Sequence, residues 1–402
     1  MRSNTGSQFM MFLAALGFSS TGWAQATDAV SQETSGSGDP SSKDERPQDP
    51  AERQTAESNE TADEPAIPEP VRENDSAAVV PEPVAPATVP GVVQGAAEAT
   101  PTTPGETRIG GKIFSHWGMD LSEGADRFNE FDIDRVYLTA RRNLGQGLGV
   151  RVTTDVGRVE GEDTKLRPYL KYAYLETAQV VPGVTLRFGM VGNSLVGSYD
   201  QFWGHRYVRK SFADAHKIVS SADIGAYALG QHADGALSWQ AALVNGHGYG
   251  YPETDVSKTA QLQVGCDLMS GRDTALPLEV YASTEVGTDS PETTVAASVG
   301  IDHQSVTART DFTTQVAGAV SGMGYSAVLI PHLGEIANVI LRYDHWDADT
   351  GVEDDANDTM VGGLAHDFDR KVSLALTYER TIIEVAPDAP SHGVFLRSQA
   401  AF

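Results

Sequence analysis

From Thr107 onward, apolar and polar residues alternate with a period of two, not with the 3.6-residue period of a helix. The clearest segments are Gly149–Arg158, Gly183–Val191, Gln261–Leu268 and Lys371–Arg380. Each puts apolar side chains on one face and polar side chains on the other over about ten residues. That length suits a strand that crosses a bilayer in a closed barrel, with apolar side chains outward and polar ones inward. The pattern predicts an all-β fold, an antiparallel transmembrane β-barrel over residues 107–402.

Sixteen segments carry this pattern, which predicts a barrel of sixteen strands. They start near Thr107, Glu130, Leu148, Lys165, Gly183, Ser221, Ala236, Lys258, Pro277, Glu292, Ser305, Met323, Glu335, Asp358, Lys371 and Ser391. The segment Glu130–Arg142 changes face midway along its length. A β-bulge near Asp134, or a wrong strand boundary, would explain the change.

The predicted connections alternate between short and long, as they do in outer-membrane barrels. The short turns are Asn143–Gly147, Val180–Pro182, His232–Gly235, Ser270–Ala275, Asp302–Gln304, Pro331–Gly334 and Asp367–Arg370. The longer links are Leu121–Asn129, Val159–Thr164, Gly192–Ser220, Gly246–Val256, Gly287–Pro291, Ala317–Gly322, Asp347–Asn357 and Ile382–Pro390. With an even number of strands, both ends of the barrel sequence are expected on the short-turn side.

The longest link, Gly192–Ser220, is both aromatic and basic and shows no clean helix or strand period. Long segments without regular structure are uncommon inside compact domains unless they are functional. We therefore predict that Gly192–Ser220 folds into the mouth of the barrel and narrows a pore.

Two segments precede the barrel. Residues Met1–Ala26 predict a secretory signal, with Arg2, the apolar run Phe9–Ser20 and a small-residue cleavage site. Thr27–Glu106 holds 12 of the 20 prolines and 17 acidic against 4 basic residues, and it contains no aromatic residue. This composition predicts a disordered, acidic, Pro-rich periplasmic segment, either a plain spacer or an arm that contacts the cell wall.

The remainder, Thr107–Phe402, has 38 acidic and 24 basic residues, a net charge of −14 that argues against nucleic-acid binding. The single cysteine, Cys266, excludes an internal disulfide and a Cys-cluster metal site, and no cofactor is expected. Asp347–Asp358 is acidic and is interpreted as a solvated outer loop, with a weak hint of a calcium loop. Because Gly246–Gly250 precedes no helix and no Gly-x-Ser-x-Gly motif occurs, an enzyme is not predicted.

Several stretches resemble a known family. Asn129–Gly145, Leu166–Leu175, Pro182–Gly192 and Phe202–Arg209 resemble Gram-negative outer-membrane porins related to the phosphate-selective porin superfamily, and a final strand ending in Phe402 resembles the assembly signal of outer-membrane proteins. The resemblance implies an outer-membrane location among lipid and lipopolysaccharide, a homotrimer, and a third outer loop folded into the lumen. By the strand count, Gly192–Ser220 is that third loop.

Charges on the predicted inner wall and inserted loop are the candidate pore-lining residues: Arg135, Arg141, Arg151, Arg167, Lys171, Arg187, Asp200, His205, Arg206, Arg209 and Lys210. Later strands carry more acids, so one side of the lumen is expected to be basic and the other acidic. Arg187 and Arg209 are predicted to shape an anion-tolerant constriction. Three hypotheses follow: a general diffusion porin for small hydrophilic solutes, a porin selective for phosphate or another anion, and a non-conducting structural barrel tethered through its arm.

Overall fold

A computed structural model describes residues 103–158, 165–270, 272–369, 371–385, 387 and 389–402. The signal sequence predicted for Met1–Ala26 and the acidic segment as far as residue 102 lie outside the described residues. The barrel wall begins at Thr107, as predicted, and the turn before it is fixed because the Gly105 amide donates to the Asn143 carbonyl at 2.8 Å.

Sixteen long strands form the wall, and their starts lie within three residues of the predicted ones. They are β1 (Thr107–Asp120), β2 (Asn129–Gly145), β3 (Leu148–Gly157), β4 (Arg167–Val181), β5 (Val184–Gly192), β6 (Ala222–His232), β7 (Leu237–Val244), β8 (Lys258–Asp267), β9 (Pro277–Val286), β10 (Glu292–His303), β11 (Val306–Ala317), β12 (Val320–Pro331), β13 (Asn338–Asp347), β14 (Asn357–Asp367), β15 (Val372–Ile383) and β16 (Ser391–Ala401). A two-residue strand, Thr274–Ala275, and a 3₁₀ turn, Ala233–Gly235, complete the wall.

The sheet closes on itself. Every long strand pairs antiparallel with its neighbours in the chain, and β1 also pairs with β16 from Lys112↔Ala401 to Asp120↔Gly393. Gly111 and Phe402 exchange two backbone hydrogen bonds at this seam, of 3.0 and 3.1 Å. Among the described residues, closure leaves no long strand with an unpaired edge, as a sheet within lipid requires. The predicted fold, a sixteen-stranded antiparallel barrel, is confirmed.

The side chains of the wall are arranged opposite to those of a soluble domain. On β3, Arg151, Thr153 and Asp155 are buried, whereas Val152 between them is exposed. On β8, Gln263 is 1% exposed while its neighbour Leu262 is 50% exposed. Polar side chains therefore line the interior, and apolar ones form the outer surface that a bilayer would cover.

Of the two explanations for the change of face in β2, the β-bulge is correct. Phe114 pairs with Arg135 and Ser115 pairs with Ile133, so Asp134 is the extra residue of a β-bulge. Because of the bulge, Arg135 and the residues after it point to the opposite face of the sheet from the one that the alternation before Asp134 predicts. A second bulge, which the sequence pattern did not predict, lies in β4, where Thr153 pairs with Tyr172 and Thr154 with Leu170.

Three predicted connections differ from the structure. The link expected at Ala317–Gly322 is a tight turn, because β11 and β12 both extend until only Gly318 and Ala319 separate them, with Gly318 at φ 61°. The connection between β8 and β9 is longer than the predicted turn, since it contains the extra strand Thr274–Ala275. The turn predicted at Pro331–Gly334 is also longer, since β12 ends at Pro331 and β13 begins at Asn338. The link predicted at Val159–Thr164 lies outside the described residues.

The longest link contains regular structure, contrary to the prediction. Helix α1 (Ser194–Trp203) begins at Asn193, whose side chain accepts the Leu195 amide at 2.9 Å, and ends at Gly204 with φ 69°. A short helix α2 (Phe212–Ala215) follows. Leu195, Tyr199 and Phe202 do follow helical spacing, but the helix is only ten residues long and the rest of the link does not continue that spacing, so the pattern was missed. Within the described part of the chain, no helix is both long and apolar enough to span a bilayer.

Candidate functional site

The link between β5 and β6, which we call L3 (residues 193–221), lies against the inner wall of the barrel. Its buried side chains Leu195, Tyr199, Trp203, Tyr207, Val208, Phe212, Ala213 and Ile218 form one cluster with inward-facing wall residues. Those wall residues are Phe114 of β1, Tyr281, Ala296, Val328, Ile330, Ile340, Trp346, Val361, Ala365 and Ala375. The inner wall is therefore apolar where L3 packs, which fixes the loop by burial of apolar surface.

Helix α1 also packs on charged wall residues. Arg309 of β11 is bonded to Glu279 at 3.0 Å and to Asp311 at 2.8 Å, and Arg342 of β13 is bonded to Asp344 at 2.7 Å. The Tyr199 ring lies 5.5 Å from the Arg309 guanidinium carbon and 5.1 Å from that of Arg342. These arginines neutralise much of the acid expected on the later strands, so the structure weakens the predicted acidic side of the lumen.

Several predicted pore residues are engaged in ion pairs. Arg206 is bonded to Asp200 at 2.6 Å and to Asp214 at 2.8 Å, so all three residues hold L3 together. Arg135 pairs with Asp155 at 2.8 Å and also contacts the Tyr169 hydroxyl. Each of these pairs satisfies a charge that would otherwise be costly within the barrel.

Arg187 lies away from the tip of L3. Its Nε donates to Glu176 at 3.1 Å, and its guanidinium carbon is 5.0 Å from the centre of the Tyr174 ring. These contacts place Arg187 on the wall formed by β4 and β5. It contributes no surface to the lumen cavity described below.

The remaining candidates occupy three other places. Arg151 lies over the Tyr172 ring at 4.4 Å, next to Arg141 in the β2–β3 register, and both arginines are buried. Lys171 contacts the Ser221 hydroxyl and lies 4.2 Å from the centre of the Tyr249 ring. The side chain of Arg167 is exposed.

The two histidines within L3 lie among aromatic rings. His205 is 5.4 Å from Trp203 and 5.9 Å from Tyr207, and His216 is 5.0 Å from Phe212, measured between ring centres. Burial lowers the pKa of His205 and that of His216 to about 4 each. Both rings are therefore neutral at neutral pH.

A cavity of about 360 Å³ lies between the tip of L3 and the wall formed by β1, β2, β15 and β16. Its lining includes six basic residues and three acidic ones, listed here: Arg135, Arg158, Arg206, Arg209, Lys210, Arg397, Asp132, Asp134 and Glu379. The other lining residues are Phe114, Ile133, Tyr137, Tyr207 and Val208. The structure thus brings together four predicted candidates, Arg135, Arg206, Arg209 and Lys210.

Sequence reasoning missed other residues of the cavity for identifiable reasons. Asp132 and Asp134 were not assigned to it because the bulge in β2 reverses the alternation between them and Arg135. Arg158 lies just beyond the end of β3, where parity no longer applies. Arg397 follows the inward parity of β16, but only barrel closure places it beside β1 and the tip of L3.

The charges of the cavity are not balanced one for one. Arg158 donates two hydrogen bonds to Asp132, at 2.8 and 2.7 Å, and Arg397 pairs with Glu379 at 2.8 Å. The nearest carboxylate of Arg209 is Asp344, whose oxygens are already bonded by Arg342. Positive charge is therefore in excess at the tip of L3.

The link between β7 and β8 carries a second group of polar residues. The amides of Gly246 and Gly248 donate to the Asp223 carboxylate at 2.9 and 3.2 Å, which holds the Gly-rich stretch against the first residues of β6. Farther along, ligand atoms of His247, Glu253 and Asp255 lie within 4.8 Å of one another. Glu253 is already bonded to Lys258 at 2.9 Å.

Comparisons with known proteins support the fold. No protein-family model matches the chain, and no curated protein matches it. Among solved structures, OmpT of Vibrio cholerae is 10% identical, with a TM-score of 0.53 over 76% of this chain and 100% of that chain. The anion-selective porin of Comamonas acidovorans is 10% identical, with a TM-score of 0.54 over 74% and 99%. OprB of Pseudomonas putida is 6% identical, with a TM-score of 0.57 over 74% and 94%.

The similarity covers 94 to 100% of these three structures, and at these identities it concerns the fold. The finer resemblance to the phosphate-selective porin superfamily stays a prediction. A closed wall of sixteen antiparallel strands, apolar outside and polar inside, gives this chain the fold of the outer-membrane porins.

Proposed function

We propose that this protein is a diffusion porin of the outer membrane, with a water-filled channel for small hydrophilic solutes and ions that L3 narrows. The observation that carries the proposal is the cavity between the tip of L3 and the β1–β2–β15–β16 wall, which is lined by charged side chains. A solute that crosses such a barrel beside L3 would pass these charges at short range, where they act most strongly.

The imbalance of charge favours anions over cations. Six basic residues and three acidic residues line the cavity, and Arg209 and Lys210 follow each other at the tip of L3. Arginine keeps its proton at any physiological pH, so this preference would persist over a wide pH range. The anion-selective porin of Comamonas acidovorans has a comparable fold, which is consistent with this proposal.

A phosphate-selective porin is the second candidate. The same surplus of positive charge at Arg209 and Lys210 favours it, because basic side chains bind phosphate oxygens through charge-assisted hydrogen bonds. Most other basic residues of the lumen already have carboxylate partners, which favours weak over strong selectivity. The third candidate, a non-conducting barrel tethered through residues 27–106, rests on the composition of that segment alone.

The location and assembly follow from the same proposal. The exposed apolar wall would be covered by outer-membrane lipid and lipopolysaccharide, and residues 1–26 would direct export. OmpT of Vibrio cholerae is known in a trimer form, and a homotrimer is proposed for this chain. The fold and the charged lumen argue for a channel over an enzyme.

Planar-bilayer recording of the purified mature protein tests the function. We expect discrete conductance steps, with a reversal potential in a KCl gradient that shows a preference for chloride. The double variant Arg209→Ala, Lys210→Ala should reduce that preference, whereas the control Lys217→Ala, also in L3 but outside the cavity lining, should not. Complete absence of conductance would contradict the porin proposal, and block by low phosphate would favour the second candidate.

A further inference from the structure

The lumen cavity has an apolar wall as well as a charged one. Phe114 and Tyr207 are only 4% and 3% exposed, yet both contribute to its lining, with Val208 beside them. The Phe114 ring contacts Tyr137 edge-on at 5.7 Å and Tyr207 at 6.4 Å, so the rings form one continuous surface. The rings present only small edges to the cavity, so an apolar solute would gain mainly by burying its own surface against them.

The charged wall of the cavity contains two neighbouring cations, Arg209 and Lys210, and the carboxylates near them already bind other arginines. The Nε atom of Arg209 is buried, lies 3.5 Å from Asp344 and makes no hydrogen bond among the described residues. Asp344 accepts three hydrogen bonds from Arg342. That Nε atom faces Asp344, but the Arg209 side chain is 23% exposed and lines the cavity, so an anion that enters can reach the rest of its guanidinium.

Lys210 completes this pair of cations. Its side chain is exposed to the cavity, and its backbone carbonyl is held by Arg342 at 2.8 Å, which fixes its position on L3. The carboxylate with the largest attractive effect on Lys210 is Asp214, which is bonded to Arg206 at 2.8 Å. The Lys210 ammonium can thus bind a further carboxylate.

We propose that the cavity is a binding site for monocarboxylates with an apolar body, of which aromatic acids are the best fit. The carboxylate would lie between Arg209 and Lys210, and the ring would pack on Phe114 and Tyr207. Inorganic phosphate would satisfy the cations but leave the apolar wall hydrated, and a sugar would use neither wall well. The volume of about 360 Å³ is within the range of small-molecule sites. This inference rests on the proposed channel function, whose solute class it specifies.

The test uses full-length mature protein in planar bilayers, with benzoate as the probe. Three controls separate the two walls: acetate has the charge without the ring, benzyl alcohol the ring without the charge, and phosphate the charge without an apolar body. We expect benzoate to reduce the current at a concentration about tenfold lower than any control, which corresponds to about 1.4 kcal/mol. Equal effects of benzoate, acetate and phosphate would overturn the proposal.

Variants locate the effect. Lys210→Gln should raise the half-blocking benzoate concentration roughly tenfold, the scale of one charge-assisted hydrogen bond. Lys217→Gln, the same change elsewhere in L3, should leave that concentration unchanged. An equal effect of both variants would place the interaction outside the cavity.

Calorimetric titration of the detergent-solubilised protein with benzoate separates this inference from the channel function. Benzoate binding that Lys210→Gln weakens, in a protein that passes no current, would support the site and contradict the channel. Current without benzoate binding would support the channel and contradict the site.

Discussion

The guanidinium carbon of Arg342 lies 5.1 Å from the centre of the Tyr199 ring, and this contact holds helix α1 against β13 of the barrel wall. The Tyr199 hydroxyl also lies 3.0 Å from the Ser326 hydroxyl, so the side chain is fixed by both its face and its edge. Since Tyr199 is only 3% exposed, L3 is packed into the lumen as firmly as a core element.

Replacement of Tyr199 should therefore loosen L3 in proportion to what is removed. Tyr199→Phe loses one hydrogen bond and should cost about 1 kcal/mol of unfolding free energy. Tyr199→Ala also loses the ring packing and should cost roughly 3 kcal/mol or more. Thermal unfolding followed by circular dichroism measures both losses, and equal losses for the two variants would contradict a packing role for the ring.

The Arg206 guanidinium should hold the two ends of the L3 tip together. Arg206→Gln leaves Asp200 and Asp214 without their charged partner, which should cost about 3 kcal/mol because both carboxylates lie inside the barrel. We expect faster cleavage of L3 by an added protease, measured by mass spectrometry of the fragments. The triple variant Arg206→Gln, Asp200→Asn, Asp214→Asn should recover part of the loss, and no recovery would rule out charge as the cause.

Acid should loosen L3 through its histidines. The pKa of His205 and that of His216 are about 4 in the folded protein, below the ordinary value of 6.5, so folding favours the neutral rings. Their stabilising contribution is complete above pH 6.5 and is lost as the pH falls from 6.5 towards 4. The charged groups that act on them are Asp367 and His332 for His205, and Asp344, Arg209, Arg342 and His345 for His216.

The measurement is the unfolding temperature at pH 7.5, 6.0 and 4.5. The wild type should lose stability across this interval, with each histidine contributing on the order of 3 kcal/mol at most. The variant His205→Gln, His216→Gln should start lower and depend less on pH. A parallel pH profile for the variant would assign the acid sensitivity to other groups.

Gly248 should be essential for the conformation of the link between β7 and β8. Its φ is +78°, and an added Cβ would lie 2.3 Å from the Ser220 hydroxyl at the base of L3. Gly248→Ala should therefore displace this link and lower the unfolding temperature, because the substitution meets both backbone strain and a clash. Gly250→Ala is the matched control, since no atom lies within 4 Å of a Cβ at that position. Equal unfolding temperatures of the two variants would contradict the special role of Gly248.

Periodicity was sufficient to predict the wall, because a bilayer-crossing strand must repeat the same two-residue rule along its whole length. The bulge at Asp134 was predictable for the same reason, since it breaks that rule visibly. Helix α1 was missed because its helical spacing, from Leu195 through Tyr199 to Phe202, extends over only ten residues of a long link.

The candidate site was predictable in part. The basic residues of L3 stand out in the sequence, so Arg206, Arg209 and Lys210 were identified as candidates. Their partners come from strands that are distant in the chain. The alternation of a strand predicts whether a side chain faces the lumen, but it does not predict its position along the barrel axis or which side chains lie beside it. Arg397 shows the difference: its side chain follows the inward parity of β16, but its position beside L3 depends on barrel closure.

The hydrogen bonds between Gly111 and Phe402 have a consequence for folding kinetics. Every other pairing of the long strands joins neighbours in the chain, so hairpins can form one after another with little loss of loop entropy. The β1–β16 seam alone joins residues separated by almost the whole barrel sequence, which makes it the slowest pairing to find. We therefore expect this barrel to fold as a growing open sheet whose two free edges are the last strands to meet.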